Sequence, residues 1–143
     1  TANPSTNPNT LDDYEEGTWT PQPAFGGASV GMTFSTRIAR YTKIGNRVLL
    51  ETYMVFTAKG SSTGAATVTG LPVAESGSGL VNAMQVAVFN ATGLTAGMAG
   101  YITAGGSEMQ LLLPNTTGAA NSSDAQFTNT TNLLISGNYT TNA

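Results

Sequence analysis

Carboxylates are the side chains of this sequence that could perform acid–base chemistry, and four of them fall in "LDDYEEGTWTP", residues 11–21. A glycosidase needs two carboxyl groups roughly 5 to 10 Å apart across a cleft, one with a raised pKa. The chain has eight carboxylates, and they offer no obvious pair: Asp12, Asp13, Glu15, Glu16, Glu51, Glu75, Glu108 and Asp124. We therefore expect no catalytic residues and no enzyme activity.

The sequence contains no histidine and no cysteine. Without imidazole or thiol, serine–histidine and cysteine–histidine nucleophiles are excluded, as are most zinc and non-haem iron sites and all disulfides. The run "DDYEE" could supply oxygen ligands to calcium, but it lacks the alternating acidic pattern of a calcium loop. A solvated charged stretch before a strand is the favoured interpretation, so we expect neither metal nor cofactor.

Aromatic and amide side chains remain as candidate ligand-binding residues. Trp19 could stack on a sugar ring, but the only tryptophan of a chain this size is more often an anchor of a core or a subunit interface. Tyr101, Asn90 and Asn115 lie in or beside polar, glycine-rich loops, where binding residues often occur. The predicted ligand-binding set is Trp19, Tyr101, Asn90 and Asn115.

Composition limits the partners. The 143 residues match one domain with a core of its own. Only 9% are charged, against about 25% in typical soluble domains. The net charge of −3 repels nucleic acid and anionic membranes, and no apolar run reaches the roughly 18 to 20 residues of a membrane span. A neutral, hydroxyl-rich surface suits sister subunits or neutral sugars, and we expect no nucleic acid and no membrane insertion.

The pattern of apolar residues predicts an all-β protein. Short segments rich in Val, Ile, Thr, Tyr and Phe alternate with Gly, Asn, Ser and Pro clusters, and no helical apolar stripe is present. With the hairpin described next, about nine strands form an antiparallel β-sandwich or jelly roll. The other predicted strands are 18–25, 66–71, 82–90, 98–103, 108–113, 125–128 and 132–140.

A β-hairpin over residues 32–60 is the clearest local prediction. The pair Gly45-Asn46 supplies the positive φ that a two-residue hairpin turn requires. If these two residues form the loop, cross-strand partners sum to 91, which places Arg40 opposite Glu51 and Tyr41 opposite Leu50. Opposite charges then meet on one face of the hairpin.

The second hairpin strand is apolar on both faces. The inner face carries Val48, Leu50, Met54 and Phe56, and a one-residue bulge between Thr36 and Ala39 would keep the partner strand in phase with it. The outer face carries Leu49, Tyr53 and Val55, which are too apolar to stay exposed. Another chain would cover that outer face, so these residues are predicted to form a subunit interface.

Two segments together resemble a known family. "NTLDDYEEGTWTP" and, about twenty residues later, "ARYTKIGNRVLLE" are similar to the carboxy-terminal domain of bacteriophage tail fibre and tailspike proteins. The resemblance implies a homotrimeric, non-catalytic β-sandwich at the distal end of a virion tail appendage. It implies a role in trimer assembly, in binding host-surface polysaccharide or lipopolysaccharide, or in both.

The resemblance also suggests a domain organisation. Residues 1–10 are interpreted as a linker from an upstream stalk, and residues 11–143 as one β-sandwich domain. The carboxylates of the first strand would stay in water, while Tyr14 and Trp19 pack inward or across subunits and Pro21 occupies an edge position. Tyr14 therefore joins the predicted trimer interface.

Three other functions remain open. The domain could be an assembly cap that binds no ligand, or a jelly-roll capsid or decoration protein of the same fold class. A carboxylate-dependent glycosidase or lyase is the third, and the missing carboxyl pair disfavours it.

Overall fold

The computed structural model of the chain describes residues 13–115 and 118–142. The predicted linker, residues 1–10, and Asp12 lie outside the described residues. The strands are β1 (Tyr14–Thr18), β2 (Gln22–Phe25), β3 (Thr33–Ile44), β4 (Arg47–Ala58), β5 (Ala66–Thr69), β6 (Asn82–Phe89), β7 (Met98–Ile102), β8 (Glu108–Asn115), β9 (Gly118–Asn121) and β10 (Asn132–Thr140). One 3-10 turn, η1 (Asp124–Gln126), lies between β9 and β10.

All ten strands belong to a single antiparallel sheet. Its order is β1-β3-β4-β10-β6-β7-β8-β5-β2, with β9 beside β8. The predicted all-β class is confirmed, and the architecture is consistent with a sandwich or jelly roll. The two layers are halves of one curled sheet, whose inner surface encloses the core.

The curl brings the two ends of the sheet together. Strands β1 and β2 are at opposite ends of the strand order, yet only three residues separate them in sequence. Four residue steps span at most about 14 Å. The predicted single strand 18–25 is therefore wrong. The chain leaves one edge after Thr18, passes through buried Trp19 and Pro21, and joins the other edge at Gln22.

The hairpin of β3 and β4 has the predicted register. Arg40 lies opposite Glu51, and the turn residue Gly45 has φ +56°. The register shifts on both sides of Phe34, between Thr33 and Phe34 and between Phe34 and Thr36, nearer the start of β3 than the predicted bulge. That position keeps the Phe34 ring against the core ring of Phe56, with centroids 4.9 Å apart.

Two further predictions are wrong in the second half. Residues 125–128 are not a strand. Ser123 caps η1 there, accepting from the backbone N–H of Ala125, and this local hydrogen bond replaces a strand ladder. The predicted strands also omit β9, whose four residues are all exposed and so carry no alternation to reveal a strand.

The core lies between the two halves of the sheet. Met54, Val48 and Leu133 are fully buried, as are Ile102 and Met109 from the opposite half. All four inner residues predicted for β4 are buried. The described residues include no helix long and apolar enough to cross a membrane.

Candidate functional site: the two outer faces of the sheet

The outer surface of β1, β3, β4, β10 and β6 is unusually apolar. Five of the eight exposed large hydrophobic side chains among the described residues lie on it: Tyr14, Ile38, Leu49, Tyr53 and Phe89. Ile38 is 58% exposed and Phe89 is 57% exposed. Half-buried Val55 and Leu134 extend the same surface, which we call the apolar face. Exposed apolar surface that is bordered by polar residues marks interaction sites.

Cross-strand register builds the apolar face in rows. Ile38 of β3 lies opposite Tyr53 of β4, which lies opposite Leu134 of β10, which lies opposite Ala87 of β6. At about 4.8 Å between strands, this apolar row is roughly 14 Å long. In the next row, Val55 of β4 and Phe89 of β6 both lie opposite Asn132 of β10.

A polar row runs beside the apolar one. It contains Arg40, Glu51, Ser136 and Gln85 on the same four strands. The two rows line a shallow groove of about 460 Å³ on the apolar face. The residues that line it include Tyr53, Arg40 and Glu51.

Arg40 and Glu51 are cross-strand neighbours that do not form an ion pair. Within residues 13–115 and 118–142 the ion pairs are Lys43 with Asp13 and Lys59 with Asp124. Both side chains of the Arg40–Glu51 pair belong to exposed residues. The predicted register of the two charges is thus confirmed, while a salt bridge between them is not formed.

The outer surface of β7, β8, β5 and β2 carries polar side chains around Tyr101, and its apolar members include Leu112 opposite Ala99. Tyr101 lies opposite Gln110, which lies opposite Thr67. Gln110 donates from Nε2 to Glu108 Oε1 at 2.8 Å, and Thr69 is also on this surface, beside Glu108. We call it the polar face. The Thr67 hydroxyl is buried there with no hydrogen-bond partner.

The four predicted ligand-binding residues are not brought together. Trp19 is only 8% exposed, and its Nε1 donates to the backbone oxygen of Arg40 at 3.2 Å. It therefore packs as a core residue. Tyr101 lies on the polar face. Asn90 follows β6 with φ +56°, and Asn115 ends β8, where its backbone pairs with Gly118.

The four predicted interface residues do share one surface. Leu49, Tyr53 and Val55 alternate along the outer side of β4, and Tyr14 faces the same way from β1, opposite Ile44. Sequence reasoning missed Ile38, Leu134 and Phe89, which complete the apolar face. The three residues lie on three different strands, and only the strand order places them next to the β4 residues.

The described carboxylates in and just before β1 accept hydrogen bonds from side chains of β3 or of β1 itself. Lys43 Nζ, which is buried, donates to Asp13. The Tyr41 hydroxyl donates to Glu15, and this bond raises the pKa of Tyr41. The Tyr14 hydroxyl donates to Glu16 Oε2 at 2.9 Å. The two glutamates stay exposed, as predicted, and Asp13 is half-buried.

Glu75 is a buried carboxylate that sequence reasoning left without a role. It accepts from the backbone N–H groups of Gly77, at 2.7 Å, and Gly105, and from Thr140 Oγ1 at 3.0 Å. Asn82 Nδ2 and Ser76 Oγ complete its contacts. The Gly77 N–H is the main cause that lowers the pKa of Glu75 to about 2. The only sequence signal is the glycine-rich run "ESGSG" that follows it.

Asp124 is a second carboxylate that accepts a hydrogen bond from a loop backbone N–H. Its Oδ1 accepts from the Gly64 N–H at 2.9 Å, and its Oδ2 lies 3.4 Å from Lys59 Nζ. The Gly64 bond is the main cause that lowers the pKa of Asp124. In the part of the chain that the structure describes, no group of three acidic side chains could hold a metal ion.

No family model matches the sequence, and no curated protein matches it closely enough to count as a relative. The fold is similar to part of a solved structure, the crystal structure of Dettilon tailspike protein (gp208), with a TM-score of 0.67 and 12% sequence identity. The likeness covers 89% of this chain and 24% of the tailspike chain. At this identity it establishes the fold alone: the described chain has the fold of one part of a phage tailspike protein.

Proposed function

We propose that the chain is a non-catalytic domain of a phage tail appendage that assembles as a homotrimer through its apolar face. The observation that carries this proposal is the gathering of five exposed large hydrophobic side chains on one outer surface. Burial of such a surface between copies is favourable by about 25 cal/mol per Å² of apolar area. The shared fold with part of a tailspike protein supports the location on a virion tail.

Sedimentation velocity of the purified chain over a micromolar concentration series tests the assembly. We expect a trimer, and we expect Tyr53→Ser and Ile38→Ser to weaken association at least tenfold. Val30→Ser is the matched control, because Val30 is 64% exposed but lies in a loop away from the apolar face. A wild-type chain that remains monomeric, or equal weakening by the control, would contradict the proposal.

The location on the virion has its own test. Immunogold labelling of intact particles with antibody against this domain should mark the tail. Labelling of the capsid shell would instead favour the capsid or decoration protein that shares this fold class.

Binding of a neutral host-surface glycan is a second candidate function, favoured by the polar face. Tyr101 offers an aromatic ring beside the hydrogen-bonded pair of Gln110 and Glu108, and sugars are bound by such combinations of ring stacking and amide or carboxylate groups. Trimer assembly through the apolar face leaves this face open. Three copies would add avidity to weak single sites.

A glycan array with the trimer, followed by titration of any host polysaccharide that binds, tests this candidate. We expect Tyr101→Ala to reduce binding at least tenfold. Thr103→Ala, an exposed change just after β7, should leave binding unchanged. Absence of binding across diverse bacterial polysaccharides would leave assembly as the remaining function.

The absence of catalysis is part of the proposal. A general acid in a glycosidase needs a raised pKa, whereas hydrogen bonds to Glu75 lower its pKa to about 2. Glu108 accepts a hydrogen bond from Gln110. We expect no reducing sugar to be released from host polysaccharide, and release that disappears in Glu108→Gln would overturn this part.

A further inference from the structure

Two opposite charges lie unpaired in the middle of the apolar face. Arg40 and Glu51 are cross-strand partners on β3 and β4, and neither takes part in the ion pairs found among the described residues. The Arg40 backbone oxygen accepts from Trp19. Both side chains line the groove.

Apolar residues flank these charges on both sides. Ile38 and Tyr53 form the row on one side, and Leu49 lies two residues from Glu51 on the other. When the face is covered by another copy, both charges lose water. An unpaired buried charge is costly, whereas a charge that meets an opposite partner with good geometry is compensated.

A second copy of this chain brings the complementary pair. Each copy presents a cation on β3 and an anion on the neighbouring strand β4, in the same row. In a three-fold ring the contact is head-to-tail, so different parts of the face meet at each contact and Arg40 of one copy can meet Glu51 of the next. The charges then complement each other around the ring without any further residue.

We propose that Arg40 of one copy pairs with Glu51 of the neighbouring copy, giving three equivalent ion pairs around the trimer axis. This inference rests on the proposed trimer and names the contact that sets its direction. The occupant of the groove is a second copy of the chain. Charge complementarity across such interfaces chiefly sets orientation and partner choice.

Charge reversal in single chains is the first arm of the test. Arg40→Glu gives a chain with two acids in the row, and Glu51→Arg gives a chain with two bases. We expect each to lose trimer at least tenfold in sedimentation, and R40E/E51R to regain it. The matched control is Glu108→Arg, which reverses a charge away from the apolar face and should still assemble. Circular dichroism confirms that each variant is folded.

Mixing the two single variants separates pairing between copies from pairing within one. If the pair forms between copies, mixing the Arg40→Glu and Glu51→Arg chains restores association in species that contain both chains. Three positions cannot alternate two charge types, so one contact of a mixed trimer remains like-charged. Mixed trimers should therefore be weaker than those of the double variant.

Three results would overturn the inference. Single variants that assemble like wild type would show that the charges lie outside the contact. A double variant that assembles while the mixture does not would place the pair within one chain. A mixed dimer as strong as the double variant would indicate a two-fold contact. A wild-type chain that is monomeric throughout would instead defeat the proposed trimer itself.

Discussion

Strands β4 and β8 each lie third from one end of the strand order, and they present different residues outward. Both alternate buried apolar residues inward, including Met54 on β4 and Met109 on β8. Outward, β4 presents Tyr53 between apolar neighbours, whereas β8 presents Glu108 and Gln110. The inward residues specify the fold in the same way in both halves. The outward residues give the two halves different outer surfaces, and the proposed contact between copies uses the more apolar one.

The largest expected effect comes from adjacent leucines of β10 that point to opposite sides. Leu133 is fully buried and Leu134 lies on the apolar face. Leu133→Ala should lower the free energy of unfolding by about 2 to 5 kcal/mol, because it leaves a cavity. Leu134→Ala should cost the monomer less than about 1 kcal/mol but weaken association. Urea denaturation at protein concentrations too low for assembly measures the two changes in stability. Equal changes would contradict the placement of Leu133 inside and Leu134 outside the sheet.

The second-largest effect is expected from a substitution beside the link between β1 and β2, where the two halves of the sheet are joined. Gly70 has φ +85°, and a Cβ there would lie 2.4 Å from the Thr20 backbone oxygen, in the link between β1 and β2. Gly70→Ala should therefore cost about 1 to 3 kcal/mol, read from the urea midpoint. Gly79→Ala is the matched control, because Gly79 also has positive φ but its Cβ would meet nothing within 4 Å. If both variants unfold at the same midpoint, the contact with the link contributes nothing.

Acid should loosen the connection that Glu75 makes between the halves. Its donors come from Thr140 in the apolar half and from Gly105 in the turn between β7 and β8. The folded-state pKa of about 2 lies below the ordinary glutamate pKa of 4.5. The stabilisation is therefore complete above the unfolded pKa and is lost as pH falls from about 4.5 toward 2.

Thermal unfolding of wild type and Glu75→Gln across this pH range measures that contribution. The variant should be less stable at pH 7 and should lose less stability on acidification. The lowered pKa of Asp124 acts in the same direction and remains in the variant. Parallel pH profiles for the two chains would exclude Glu75 as the acid-sensitive connection.

The smallest effect is expected at the rim of the apolar face. Tyr14 is 49% exposed and donates to exposed Glu16. Tyr14→Phe removes this hydrogen bond but keeps the ring, so stability should change by less than about 0.5 kcal/mol and association should persist. A loss of trimer as large as that of Tyr53→Ser would show that the hydroxyl, and not the apolar surface, maintains the contact.

Local chemistry was enough to predict the hairpin. Gly45-Asn46 requires one kind of turn, and the alternation through Val48 and Leu50 requires one inner face, so strand register followed from neighbouring residues. The failures occurred where local signals were weak. Prolines 21 and 23 divide a segment that is otherwise rich in strand-forming residues, and the exposed strand β9 has no alternation.

The residues and their spacing were enough to predict an all-β chain with a hairpin at Gly45-Asn46, to exclude histidine and cysteine chemistry, and to show that β4 is apolar on both faces. The neighbours of that strand follow from the three-dimensional fold. Leu134 and Ala87 reach Tyr53 because β10 is inserted between β4 and β6. Glu75 finds donors 1 to 65 residues away in the chain. Local propensity acts over a few residues, whereas strand order depends on closing the whole core, and no short segment encodes that.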